Sequence, residues 1–443
     1  MTHTLHLDQA RLPGGWARDV RITVEDGVIT DLTTSAGPAG AERLSGAVVP
    51  ALTNLHSHAF QRAMAGLAER ARAGVEDFWA WREAMYRFLD RLTPEQMEAI
   101  AAMLYAELAE GGYAGVVEFH YLHNDPDGRP YADPAETAHA HRAAAATAGF
   151  GLTLAPVLCS HSDFGGAPPK HGQRRFIRST DDFLRLLEAS GAEAMALHSL
   201  RAVTPEQIVQ VLAAADPALP IHIHAAEQTG EVEASVAWSG ARPVEWLLAN
   251  APVSDRWTLV HATHMTDAEA AGLARSGATV ALCPSTEGNL GDGVFNADAF
   301  LGAGGAFGIG SDSHVTTSAP EELRWFEYGR RLQARKRTMS GGTGEHVGAG
   351  LWLSAARAGT RPTARRTGEI AVGARCDLVV LDTDHPTLTG RAGDLILDSL
   401  VFSGSGAIRE VWSAGRRIVE GGRHIHRDAI AAAYRKTIAE LGA

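Results

Sequence analysis

Eight short apolar runs recur through the middle of the chain, each followed by a longer and more polar stretch. They occupy residues 48–58, 116–120, 152–157, 194–198, 221–224, 257–261, 279–283 and 307–312. Runs of this length, bounded by turn residues, read as buried strands, and the intervening stretches read as helices. Strands that alternate with helices build a parallel sheet with crossover connections. Eight such units predict an α/β fold, a (β/α)8 TIM barrel. A doubly wound open sheet is the structural alternative, but its usual Gly-rich phosphate loop after the first strand is missing.

The flanks have a different pattern. Residues 21–24 and 27–32 alternate apolar and polar positions between Gly and Asp turns, and alternation returns at 368–373, 377–382, 408–412 and 417–422. Period-two segments of this kind predict antiparallel strands. The two chain ends are therefore expected to meet in a small β-sandwich domain, residues 1–47 plus 365–443, with the barrel at 48–364 inserted between them. A helix is predicted at 94–111, with Thr93 as N-cap and Pro94 at its first position, and another at 428–441.

Composition narrows the partners. The 443 residues suffice for a barrel of about 250 residues and a second, smaller unit. A net charge of −12 argues against nucleic acid. No run approaches the roughly 20 apolar residues that span a bilayer, so no membrane is expected. The opening residues lack the basic start and apolar middle of a signal peptide. Cys159, Cys283 and Cys376 are widely spaced and odd in number, which suggests buried free thiols in a reducing cytoplasm. Of the 20 histidines, His139, His141, His424 and His426 lie in segments with no other sign of a site and read as surface residues.

Polar residues at the C-terminal ends of barrel strands face the active site. Six of the eight runs end on His or Asp or carry one within a residue or two. The first ends in His56-Ser57-His58, whose two imidazoles share a strand face roughly 6.6 Å apart along the chain. His56, His58, His224 and Asp312 form a donor set for a divalent transition metal, with a position left for water. Such an ion acidifies bound water towards pKa ~7. Glu227, three residues after His224, is placed for general acid/base work, and His261 for polarising the group under attack. Each residue alone would serve equally as a hydrogen-bonded core residue or cap; it is the set that favours a metal site.

His56-x-His58, His224 with Glu227, His261 and Gly310-Ser311-Asp312-Ser313 together resemble the amidohydrolase superfamily. The tail segments 368–380 and 411–416 resemble the β domain of its deaminase branch. No barrel strand ends in a lysine suited to bridging two metals, which points to a single ion, with Zn2+ the usual one in the family. Within the superfamily, segments 54–66, 118–123, 198–203 and 283–293 are similar to the formimidoylglutamate deiminases. The resemblance implies hydrolysis of N-formimino-L-glutamate to N-formyl-L-glutamate and ammonia in histidine degradation, and a tendency to form homodimers.

The same resemblance assigns Gln61, Tyr121, His198 and Arg201 to substrate binding. A dicarboxylate favours guanidinium forks and neutral donors. Arg201 is placed for one carboxylate, and Gln61 and Tyr121 for the other. Arg82, in Trp79-Ala80-Trp81-Arg82, is a further candidate with an equal claim to be a surface arginine covering apolar area. In the expected reaction Asp312 takes the proton of the attacking water, Glu227 delivers one to the imino nitrogen, and His261 aligns the tetrahedral intermediate. Two rivals stand beside this reading. One is a deaminase of a nucleobase, nucleoside or related cyclic amidine on the same barrel; the other is a non-catalytic barrel that has lost its ligands.

Overall fold

The alternation of the N-terminal residues becomes four strands, β1 (Thr2–Leu12), β2 (Gly15–Glu25), β3 (Val28–Thr33) and β4 (Glu42–Pro50). The structure, a computed structural model, describes residues 2–67, 69, 85–341 and 344–442. β2 and β3 are joined by Asp26 and Gly27, both at positive φ (47° and 85°), the backbone a two-residue hairpin requires. Eight parallel barrel strands follow: β5 (Leu52–Ser57), β6 (Tyr113–His120), β7 (Gly151–Leu158), β8 (Met195–Ser199), β9 (Ile221–Ala225), β10 (Trp257–His261), β11 (Thr279–Leu282) and β12 (Ala306–Ile309). The chain returns to the first sheet with β13 (Leu378–Leu381), β14 (Ile408–Ser413), β15 (Arg416–Glu420) and β16 (Arg423–His424).

The terminal strands form one sheet, ordered β16-β15-β14-β13-β4-β1-β2-β3. It curls until Ile29 N donates to Ala374 O at 2.9 Å, enclosing a core that includes Leu7, Ile22, Val24, Val48 and Leu378. The result is sandwich-like. Two expectations change here. Residues 48–50 pair with β13 and belong to this sheet, so the barrel strand with the histidine pair begins only at Leu52. Residues 368–373 form turns rather than a strand. Gly368 and Gly373 adopt φ of 76° and 83°, which bends the chain while Ile370 is still buried in the core.

Barrel strands run in the sheet order β12-β11-β10-β9-β8-β7-β6-β5. Closure comes just past β12: Ser311 N and Asp312 N donate to His56 O at 3.2 and 3.0 Å, and His58 N donates to Asp312 O at 3.3 Å. Gly310 permits this approach, since a Cβ there would lie 2.7 Å from His56 Cβ. Outward side chains such as Val116, Leu197, Ile223 and Leu259 pack under the helices. A second cluster with Val117, Phe119, Ala196, Val260 and Ala281 fills the interior. The helix Pro94–Glu110 starts with a reciprocal Thr93–Gln96 capping box, and Thr204–Gln207 repeats it before Pro205–Ala214.

The C-terminal helix Arg427–Leu441 lies against the barrel helix Pro94–Glu110, with Leu441 in the cluster that holds Met97 and Ile100. His139 and His426 are exposed, but His141 and His424 are buried. His141 meets Tyr105 Oη, and His424 Nε2 donates to Ala148 O, so both have partners that the local sequence did not advertise. Cys159, Cys283 and Cys376 are buried. Among the described residues no helix is long and apolar enough to cross a membrane.

Candidate metal centre at the barrel mouth

His56, His58 and His224 converge. Their Nε2 atoms lie 3.1 Å (His56–His58) and 3.0 Å (His56–His224) apart. His58 Nδ1 donates to Phe119 O and His224 Nδ1 donates to His198 O. Because a carbonyl can only accept, these bonds fix the tautomer and leave each Nε2 with a bare lone pair facing the shared point. Burial holds His56 and His224 well below the ordinary imidazole range and lowers His58 to about 3. All three imidazoles are therefore neutral, the form that ligates metal. Asp312 Oδ1 completes the group at 3.6 Å from His56 Nε2 and 3.4 Å from His58 Nε2.

Local backbone strain aims the side chains. His261 and Asp312 sit at φ of 66° and 45°, and Ala226, just before Glu227, at 53°. Non-glycine residues are uncommon in this region and concentrate at functional sites.

A second layer lies beside the imidazoles. His261 Nε2 is 3.7 Å from Glu227 Oε1 and 3.8 Å from Asp312 Oδ2, while its Nδ1 is 3.3 Å from Glu287 Oε1. Burial works against a charged His261, but the carboxylates of Glu227, Glu287 and Asp312 outweigh it and raise the group to about 10. Burial likewise raises Asp312 to about 7, with His261 pulling the other way. This donor set fits a divalent cation: three neutral imidazoles, two of them with their Nε2 lone pairs fixed by carbonyl partners, meet a buried carboxyl group.

The group opens onto a cavity. Glu227, His261 and Asp312 line it, as do Gln61, Tyr121, His198 and Arg201, the described residues expected to contact substrate. Gln61 Nε2 donates to Tyr121 Oη at 3.1 Å, so these two act as a linked pair rather than as separate donors. Arg82 lies outside the described residues. Sequence reading assigned no role to Glu287 or Glu118. Glu287 lay within the 283–293 segment, but nothing local says that it reaches back to His261. Glu118 is the only charge in the 113–119 run, a signal that could have marked it.

The profile described as the amidohydrolase family matches residues 47–418. The chain belongs to the amidohydrolase family. A second profile, the formimidoylglutamate deiminase HutF N-terminal domain, matches residues 2–46 of this amidohydrolase. A formimidoylglutamate deiminase from Pseudomonas aeruginosa is 51% identical over 98% of both chains. More distant is a 5-methylthioadenosine/S-adenosylhomocysteine deaminase from Natronomonas pharaonis, 28% identical over 87% of this amidohydrolase and 84% of the relative. A crystal structure of an amidohydrolase from Brucella melitensis superimposes with a TM-score of 0.94 at 47% identity, covering 100% of each chain.

Proposed function

We propose that this amidohydrolase hydrolyses N-formimino-L-glutamate to N-formyl-L-glutamate and ammonia, a step of histidine degradation. The observation that carries the reading is its 51% identity, over 98% of both chains, to the deiminase from Pseudomonas aeruginosa. The site chemistry agrees with it. His56, His58, His224 and Asp312 would hold one divalent ion, Zn2+ in this reading. When bound, that ion supplies Lewis acidity and makes water nucleophilic near neutral pH.

The protein's own groups do the rest. Asp312, placed between the histidines and His261, takes the proton of the attacking water. Glu227 faces the cavity beside His261 and passes a proton to the imino nitrogen, so that ammonia can leave as the C=O forms. His261, kept cationic by its carboxylate neighbours, steadies the charge that develops on the substrate. Arg201 anchors one substrate carboxylate, and the Gln61–Tyr121 pair with His198 binds the remainder. Arg82 belongs to the same proposed set.

The chain divides into a barrel at 48–364 and a β unit from 1–47 plus 365–443, with residues 48–50 pairing into the β unit's sheet. A homodimer in the cytoplasm completes the proposal. Trp325, Tyr328 and Leu332, spaced along one face of the helix Ala319–Ala334 and exposed, support self-association. Sedimentation at several concentrations tests it. The function is tested by ammonia release from N-formimino-L-glutamate, with and without chelator, beside nucleosides, nucleobases and related cyclic amidines. Turnover confined to the cyclic compounds would replace this reading with the nucleobase or nucleoside one. A chain that binds no metal and turns over nothing would favour the non-catalytic barrel.

A further inference from the structure

Strand alternation puts Ser57 on the face opposite His56 and His58, towards the surrounding helices. There its hydroxyl donates to Glu118 Oε2 at 2.7 Å. The backbone N–H of Ala59 donates to Glu118 Oε1 at 2.8 Å. One carboxylate thus grips the chain on both sides of His58. Tyr105 Oη, on the helix Pro94–Glu110, adds a third donor at 3.3 Å. Glu118 is 1% exposed. A buried carboxylate is costly, and an apolar residue would fill the same space more cheaply. The two oxygens of Glu118 are instead both used as acceptors at this spot.

The connections continue to the other side of the site. Ser57 Oγ lies 3.3 Å from His314 Nε2, and His314 Nδ1 lies 2.8 Å from Ser311 Oγ, the residue before Asp312. Asn54 Nδ2 donates to Ser311 Oγ at 2.5 Å, and Asn54 Oδ1 accepts from the backbone N–H of both His56 and Ser311. His58 and His224 are oriented through their own Nδ1 bonds to carbonyls. His56 is not: its Nδ1 is buried with no hydrogen-bond partner among the described residues. The usual outer partner of a ligating imidazole is missing there, so the ring's aim must come from its backbone.

We propose that Glu118 and Ser57 are positioning residues, a buried clamp that holds the His56–His58 segment, and through His314 the Asp312 segment, in the arrangement a divalent cation requires. The proposal rests on the reading of these residues as metal ligands. It assigns Glu118 and Ser57 no contact with substrate.

The test uses the full-length chain and the variants Glu118→Gln and Ser57→Ala. Zinc affinity is measured by chelator competition, ligand geometry by the visible spectrum of the cobalt-substituted protein, and folding by urea titration of the metal-free form. The expected result is zinc affinity lower by roughly 10- to 100-fold for Glu118→Gln, and lower in the same direction for Ser57→Ala. Both should show an altered cobalt spectrum while remaining folded. A merely structural role would shift the urea midpoint and leave zinc affinity and the spectrum of the folded protein alone, and that result overturns the clamp. Should Glu118→Gln fail to fold, Ser57→Ala decides by the same criterion. Wild-type protein that binds no zinc overturns the ligand reading along with the clamp; wild-type protein that binds zinc no better than both variants overturns the clamp alone.

Discussion

His56 Nε2 lies 3.0 Å from His224 Nε2, although 168 residues separate the two in the chain. The Nδ1 proton of His224 is committed to His198 O, so its Nε2 has only a lone pair to offer. Facing nitrogens at this distance are stable when something electropositive lies between them, a cation or a proton carried by His56. Replacing His224 with Ala is expected to leave a folded chain that loses its zinc on dialysis, read by elemental analysis. Zinc retained at the wild-type level would remove His224 from the ligand set.

Glu227 is 5% exposed and faces the cavity, yet it is not one of the converging imidazole partners. Glu227→Gln keeps the shape and removes the exchangeable proton. Turnover should fall by roughly 10²- to 10⁴-fold with zinc content unchanged. A variant with near-normal kcat would take Glu227 out of proton transfer.

Arg201 follows β8 and lines the same cavity. Changing it to Met removes the guanidinium fork from a dicarboxylate site. A lost hydrogen bond to a charged group corresponds to roughly a 10- to 100-fold rise in KM, with kcat nearly constant. Steady-state kinetics separates the two parameters. An unchanged KM would mean that the carboxylates are held elsewhere.

Much of this site could be read from the sequence because it lies where a barrel always displays its chemistry. His56, His224, His261 and Asp312 end or follow short apolar runs, and those runs were recognisable without any tertiary information. What escaped depends on contacts between distant segments. Glu287 gains its role by reaching His261 from the helix Pro284–Leu290, and Glu118 by facing outward to Ser57 and Tyr105. His141 lies on an Ala-rich helix whose weak amphipathicity hides the face it buries. The 368–373 segment alternates like a strand, but its glycines turn it. Pattern shows which way a side chain points far better than it shows what the side chain meets.

Buried histidines away from the metal centre should make the fold sensitive to acid. Burial lowers His141 to about 3, and burial reinforced by Arg178 lowers His123 to about 3 as well. In the unfolded chain both return to an ordinary imidazole value of 6.5. The unfolded state therefore binds protons that the native state refuses as pH drops below 6.5. The stability these groups contribute is complete above that value and is lost as pH falls towards 3. At pH 5 the loss is on the order of 2 kcal/mol per histidine. Urea midpoints at pH 7.5 and 5 should differ less in His141→Gln than in the wild type, both loaded with metal. Equal pH slopes would show that His141 is not held neutral.

Gly310 links barrel closure to the metal centre, and its replacement separates the two contributions. An added Cβ would lie 2.7 Å from His56 Cβ and 2.9 Å from His56 N. Neither atom can swing away, because His56 O already accepts from Ser311 N and Asp312 N and the ring is fully buried. Relief must come from moving β5 away from the segment after β12. That opens the closure and pulls His56 away from Asp312 Oδ1, now 3.6 Å from its Nε2. Gly310→Ala should cost about 1–3 kcal/mol of stability, the range for overpacking a tight interior. It should also weaken zinc binding, which a distant packing defect would not do. Gly302→Ala is the control, since a Cβ there meets nothing within 4 Å. Urea midpoints and chelator competition on both variants decide the matter: a Gly310→Ala protein that matches Gly302→Ala in stability and zinc affinity would mean that the barrel closes without needing this contact.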